Sequence, residues 1–249
     1  MSDQIHYGSC LDSNMYPKEL VDLIIFDPPF WPFSKQYSQI ERSACGKPKN
    51  ILADIPTPDK KHYAEWWDSL CQILQNKLKP KGWFCYKSDS WGAKLTFPIT
   101  TKYFDYSNEV IWEKDNIGLG RYIRTKHESI QVYFAKGGTR KNWKYKTVMD
   151  IKAGKGQIGP AFPSVLHISA KLSERHINET PKELWYKFID YMCPKSGLVL
   201  DPTAGTGSIE KACRILGRQY WGIEIESPEM KNKANNQSSI SNWIKLNAK

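Results

Sequence analysis

The sequence predicts an α/β fold, a sheet with helices on both faces, and three observations carry that prediction. Short, wholly apolar runs such as Leu23-Ile24-Ile25-Phe26 and Leu198-Val199-Leu200 read as strands buried on both sides, the pattern of a helix-covered sheet. Amphipathic stretches at helical spacing stand between such runs. Residues 198–226 form a strand, glycine loop, helix and second strand in that order. At 249 residues, 40% of them hydrophobic, the chain suits one substantial domain over 1–249.

The elements follow in order. Residues 1–20 form a polar lead with a turn at Gly8-Ser9-Cys10-Leu11. The strand from Val21 ends at Asp27-Pro28-Pro29-Phe30. Each proline fixes its own φ, lacks an N–H and pushes its predecessor away from helix. A stiff turn therefore caps a buried strand at its carboxyl end, where open α/β sheets bind ligands. Residues 31–58 lack periodicity and read as a long loop able to close over a substrate. Asp59 to Leu78 is the clearest helix, with Tyr63, Trp66, Trp67, Leu70, Ile73, Leu74 and Leu78 on one face; this aromatic stripe reads as core. Pro80-Lys81-Gly82 ends it, and Trp83 to Tyr86 is a strand. From Lys94 to Thr101 a short helix and an extended turn both stay open. Glu109–Trp112 and Ser129–Phe134 are two more strands, flanking a basic loop. Thr180-Pro181-Lys182-Glu183 opens a helix with proline first and an acid in its first turn. Leu184, Phe188, Ile189 and Met192 face inward, and Ser196-Gly197 breaks the helix. After Leu198–Leu200 come the glycine loop, a helix from Ile209 to Leu216 closed by Gly217, and a strand from Tyr220. Residues 227–249 are a polar tail.

Charge is unevenly placed. The net charge is +10, and between Lys114 and Lys155 eleven lysines and arginines face only three acids, with Tyr122, Tyr133, Phe134, Trp143 and Tyr145 interleaved. A basic stretch studded with aromatics is the footprint of a nucleic-acid surface, although charge alone also fits a solvated face. Residues 114–163 are therefore the expected nucleic-acid-contacting segment, with Arg121, Arg124, Lys126, Arg140, Lys141, Lys144 and Lys146 as phosphate and base contacts. The six cysteines are scattered, without metal-ligand spacing, so they read as reduced packing residues, with no metal expected. No apolar run reaches membrane-spanning length and the first residues lack signal-peptide features. The expected location is the cytoplasm, with no membrane partner.

Two stretches carry chemistry. Asp27 offers a hydrogen-bond acceptor, Pro28 a backbone carbonyl and Phe30 a flat face, a set that suits a planar base bearing an exocyclic amine. In Asp201-Pro202-Thr203-Ala204-Gly205-Thr206-Gly207-Ser208 the glycines let the backbone approach a ligand and leave amides free at a helix N-terminus. Glu224, ending the next strand, is placed for a ribose diol. A dinucleotide fingerprint would need a third glycine where Glu210 stands, and there is no Gly-Lys-Ser/Thr of a P-loop. A cofactor with ribose and adenine but no phosphate fits better, and S-adenosylmethionine is such a cofactor.

Asp27-Pro-Pro-Phe30 early, Asp201-Pro-Thr-Ala-Gly-Thr-Gly207 late and a basic segment between them resemble the DNA amino-methyltransferases that act on adenine N6 or cytosine N4. The order, catalytic motif first and cofactor motif last, resembles their β class. Lys79-Pro80-Lys81-Gly82, Glu109–Lys114 with His127-Glu128, and His176-Ile-Asn-Glu-Thr-Pro181-Lys-Glu-Leu184 extend the likeness over most of the chain. Departures are Phe30 for tyrosine, Thr203 for phenylalanine, and Glu179 and Thr180 for the motif's glutamine and lysine. The resemblance implies a Rossmann-like, S-adenosylmethionine-dependent domain with a mixed sheet, helices on both faces and residues 114–163 as a small target-recognition insert, in the cytoplasm of a bacterial or virus-infected bacterial cell. It makes Asp27, Pro28, Pro29 and Phe30 catalytic. Asp201, Pro202, Ala204, Gly205, Thr206, Gly207, Ser208, Glu224, Asp27, His176 and Pro181 would hold the cofactor. The substrate it implies is duplex DNA, methylated at a specific site on adenine N6. A second copy of the chain and a cognate restriction endonuclease stay open as partners. Cytosine N4, RNA adenine and a catalytically silent nucleic-acid-binding module remain as alternatives. Cytosine C5 chemistry would want a cysteine after a proline, and no cysteine here follows one.

Overall fold

A computed structural model describes residues 4–28, 60–115, 117, 124–138, 162–170 and 180–225. In chain order these form β1 (Gln4–Tyr7), β2 (Val21–Phe26), α1 (Lys60–Gln75), β3 (Leu78–Ser88), α2 (Ser90–Tyr103), β4 (Phe104–Glu113), β5 (His127–Ala135), β6 (Val165–His167), α3 (Lys182–Met192), β7 (Leu198–Asp201), α4 (Ser208–Leu216) and β8 (Gln219–Glu224). The strands make one sheet in the order β1-β8-β7-β2-β3-β5-β4-β6. Among the described strands only β5 runs against the rest, pairing antiparallel with β3 and β4.

Side-chain alternation along β2 splits the core into two layers. Leu23 and Ile25 face the layer that holds Leu184, Trp185, Phe188 and Ile189 of α3 and Ile209, Ala212 and Cys213 of α4. Ile24 and Phe26 face Tyr63, Trp66, Trp67, Leu70 and Leu74 of α1, so the aromatic stripe is core, as its spacing predicts. Helix α2 joins this second layer through Leu95 and Ile99, and Trp67 Nε1 donates to Thr100 Oγ1 at 2.9 Å. The mixed sheet with helices on both faces is thus the fold expected from the sequence.

Several boundaries differ. The polar lead contains β1, paired with β8 from Gln4 opposite Trp221 to Tyr7 opposite Glu224. Leu78 does not close α1 but opens β3, which runs straight through Pro80-Lys81-Gly82. The register beside β2 jumps there from Val21–Leu78 to Leu23–Trp83, an irregularity that absorbs the extra residues and the missing proline amide. A Cβ on Gly82 would stand 2.5 Å from Leu78 Cδ1, so the close approach requires glycine. The stretch left open at Lys94–Thr101 is part of α2, started by Asp89, whose carboxylate accepts from the Gly92 amide at 2.6 Å. Pro181 is the cap residue of α3 rather than its first helical residue. The long loop of residues 31–58 and the polar tail lie outside the described residues. Within the basic segment 114–163, β5 lies inside the sheet, with Ile130, Val132 and Tyr133 buried.

Candidate active site

Strands β2 and β7 are neighbours, Leu23 opposite Val199 and Ile24 opposite Leu200. From β2 the chain leaves towards β3 on one side, and from β7 it leaves through α4 to β8 on the other. Their carboxyl ends therefore flank the point where the sheet's winding reverses, the crevice in which open α/β sheets take ligands. The two motifs from opposite ends of the chain meet here. Thr203 Oγ1 of the glycine loop donates to the Asp27 carbonyl at 3.1 Å.

The loop is held from beneath by Asp201. Its carboxylate is 1% exposed and accepts from the Thr203 amide at 3.1 Å and the Tyr220 hydroxyl at 3.0 Å. Burial pushes this carboxyl up to about 8, against the pull of those two hydrogen bonds. Gly205 and Gly207 adopt φ of 52° and 79°, the left-handed region that glycine enters without penalty. The Gly205 amide donates to Glu224 Oε2 at 2.6 Å and the Ala204 amide to the Ile223 carbonyl at 2.8 Å, fixing the loop against the end of β8. Pro202, Ala204 and Gly207 are buried, whereas Gly205 and Thr206 form an exposed crest. Among the described residues, a Cβ at Gly205 would meet nothing closer than Thr203 O at 3.7 Å. Ser208 opens α4, whose start has no side-chain cap. Glu210 pairs with Arg214 one turn on, so its charge is partly matched and weighs less against a phosphate than its position in the sequence suggests.

This donor set fits S-adenosylmethionine. The left-handed glycines bring backbone close to a nucleoside, Glu224 stands at the end of the adjacent strand, and the buried Asp201 keeps the turn in shape.

Around Asp27 the structure adds groups that the sequence reading did not assign. Thr180 Oγ1 donates to Asp27 Oδ2 at 2.6 Å, and Lys87 Nζ lies 3.2 Å from Oδ1. Lys87 also donates to Thr180 Oγ1 at 2.6 Å and pairs with Glu128 Oε2 at 3.0 Å. Glu128 in turn pairs with Lys114 at 2.5 Å, and both ammonium groups lie 5.5 Å from the centre of a Trp112 ring. Burial alone would pull the Lys87 ammonium down, but the Asp27 and Glu128 carboxylates outweigh it and hold it above the usual lysine range. Burial likewise pushes Glu128 up, and Lys87 and Lys114 together bring it below the usual carboxylate range. The one available signal was a lysine inside an otherwise apolar run, Trp83-Phe84-Cys85-Tyr86-Lys87. The register that sets Phe26 against Tyr86 then brings Lys87 beside Asp27.

Pro28 is buried beside Asp27, and Pro181 is buried next to Thr180. Pro29, Phe30 and His176 lie outside the described residues, as do Arg121, Arg140, Lys141, Lys144 and Lys146. Arg124 is exposed and reaches the Ile117 carbonyl at 3.4 Å, and Lys126 pairs with Glu113 at 3.2 Å. Lys114, one of the basic residues counted between 114 and 155, faces inward to Glu128 rather than outward.

A sheet wound this way, with a phosphate-free nucleoside loop on one side of the crevice and a carboxylate turn on the other, is the fold of the S-adenosylmethionine-dependent DNA methyltransferases. The chain belongs to the N6/N4 DNA methylase family, whose model matches residues 21–236. It is 22% identical over 219 residues to the Type II methyltransferase M2.LlaDCHI of Lactococcus lactis subsp. cremoris, covering 86% of this chain and 80% of that one. It is 25% identical over 236 residues to M.HinfI of Haemophilus influenzae, covering 88% and 64%. Among solved structures it resembles the M1.HpyAVI–SAM complex, with a TM-score of 0.58, 18% identity and coverage of 94% and 97%. It also resembles the cytosine-N4-specific PvuII DNA methyltransferase, with a TM-score of 0.63, 18% identity and coverage of 91% and 83%. The protein is thus a DNA methyltransferase of the N6/N4 type whose cofactor is S-adenosylmethionine.

Proposed function

We propose that the chain methylates the exocyclic N6 amine of adenine at a specific site in duplex DNA. The observation that carries this reading is the Asp27 carboxylate at the switch point, next to the glycine loop and steadied by Lys87 and Thr180. An exocyclic amine is a poor nucleophile because its lone pair is delocalised into the ring. Hydrogen bonds from that amine to Asp27 and to the Pro28 carbonyl favour a pyramidal nitrogen and aim its lone pair at the cofactor crevice. The cofactor supplies a methyl carbon on a positively charged sulfur. The chain's own contribution is orientation and charge placement, without a covalent intermediate on the protein. Asp201, through the loop it braces, and Glu224, Gly205 and Gly207 position the nucleoside. Phe30 stacks on a base flipped out of the duplex. The basic stretches on either side of β5, with Arg124 and Lys126 among them, contact phosphates. The Type II relatives support a cognate restriction endonuclease as cellular partner.

The acid at position 27, together with the resemblance it carries, favours adenine over cytosine. The test is incubation with methyl-labelled S-adenosylmethionine and unmethylated duplex DNA, followed by mass spectrometry of the nucleosides. Labelled N6-methyladenine supports the proposal, and N4-methylcytosine replaces it with the cytosine reading. Unlabelled DNA beside labelled RNA replaces the substrate, and no label in either sinks the catalytic reading.

A further inference from the structure

We propose that Lys87 is a positioning residue, whose ammonium, through Thr180, fixes the direction in which the Asp27 carboxylate faces the incoming amine. The inference rests on the function proposed above. Lys87 is buried in β3 and only donates. Its ammonium donates a hydrogen bond to Thr180 Oγ1 at 2.6 Å and forms ion pairs with Asp27 Oδ1 at 3.2 Å and Glu128 Oε2 at 3.0 Å.

Thr180 is the informative member. A hydroxyl has one proton and two lone pairs. Because Lys87 can only donate to it, that single proton must go to Asp27 Oδ2, at 2.6 Å. The lysine therefore sets the sense of the hydroxyl, and the carboxylate is gripped at both oxygens while keeping lone pairs for a substrate amine. Net stability is not what such an arrangement supplies, since desolvation of buried charges offsets much of their attraction. Its consequence is geometric. Glu128, itself paired with Lys114, holds the ammonium from behind, at the base of the connection between β4 and β5, where the Lys114 amide also donates to the Lys126 carbonyl at 2.8 Å. Position 180 is a threonine where the motif it resembles has a lysine, and in this chain the ammonium beside Asp27 comes from β3.

The experiment compares Lys87→Met, Thr180→Val and Thr180→Ser in the full chain, with kcat and KM on duplex DNA and cofactor affinity by calorimetry. Misplacing a reacting group costs about 100-fold in rate, and a kcat loss of that order is expected for Lys87→Met. Thr180→Val should lose about tenfold, Thr180→Ser should restore most of that, and cofactor affinity should stay within about threefold in all three. Should Lys87→Met not fold, the Val-against-Ser contrast at position 180 still decides. Unchanged kcat in both Lys87→Met and Thr180→Val, with DNA methylated by the wild type, overturns the role of Lys87 alone. Wild-type protein silent on DNA overturns the functional reading instead. In that case a crystal structure of Lys87→Met judges the positioning role, which requires the Asp27 carboxylate to swing out of hydrogen-bond reach of Thr180 and is overturned by a carboxylate left in place.

Discussion

Strands β2 and β3 are tied by an aspartate–lysine pair at each end, and the two pairs are inverted in exposure. At the amino end Asp22 is the buried partner, its side chain 6% exposed, and Lys79 is 42% exposed, with 2.8 Å between them. At the carboxyl end Lys87 is the buried partner at 6%, and Asp27 is 25% exposed. Asp22 also accepts the Leu198 amide at 3.0 Å, so it clasps β7 to β2 and presents nothing to solvent. Asp27 has its lysine behind it and its face to the crevice. Under the proposed function, the same residue types thus serve architecture at one end and chemistry at the other. The difference lies in which member is buried.

This contrast can be broken in measurable ways. The largest effect belongs to Asp27→Ala, which should lower methyl transfer by about 1,000-fold or more while cofactor affinity, read by calorimetry, stays near wild type. An active variant would remove the chemical role from this end of the sheet. Asp22→Ala should do the converse. Leaving the Leu198 amide buried and unpaired costs about 1–3 kcal/mol, seen as a lower urea midpoint, with turnover per folded molecule unchanged. Gly207→Val tests the loop beside Asp27. A β-branched side chain at φ 79° with Glu210 Oε2 3.0 Å from its Cβ should weaken cofactor binding by about tenfold. Unchanged affinity would show that the left-handed turn is not needed. Lys79→Met removes the exposed partner but leaves the buried Asp22 carboxylate without its ammonium and should cost about 1–3 kcal/mol, so an unchanged urea midpoint would void the pairing at this end.

The subtlest test is a slope with pH. Burial raises Asp201 to about 8, so between the ordinary carboxylate range and that value the folded state binds the extra proton. Its contribution to stability is complete at the acid end and is lost as pH rises through 8. Glu128, shifted down by Lys87 and Lys114, has the opposite sign, contributing above the ordinary carboxylate range and losing its contribution as pH falls. Asp201→Asn should therefore be stabilised relative to wild type as pH goes from 5 to 8. Urea midpoints that run parallel for the two proteins over that interval would contradict the burial argument.

Sequence periodicity alone determined β2, α1, α3, α4 and the glycine loop, because a buried strand, an amphipathic helix and a left-handed turn each leave a local pattern. Gly205, Gly207 and Gly217 stand at positive φ, and each was placed in a turn from its neighbours. The local pattern failed where the stabilising contacts come from elsewhere. β1 and β6 are only 4 and 3 residues long, held by ladder bonds to β8 and β4 rather than by an apolar run of their own. In α2, Pro98 masks a helix that Asp89 starts and packing on α1 completes. β3 passes through Pro80 and Gly82 because an irregular register accommodates them.

The site divides in the same way. Asp27 and the glycine loop are contiguous motifs with chemistry written in adjacent residues, so they were legible in the sequence. The cluster of Lys87, Thr180, Glu128 and Lys114 was not, since Thr180 lies 153 positions from Asp27 and 93 from Lys87. Only the parallel register of β2 on β3, the antiparallel pairing of β5 with β3 and β4, and the seating of α3 bring those groups together, and burial then turns the proximity of the charges into strong pairing.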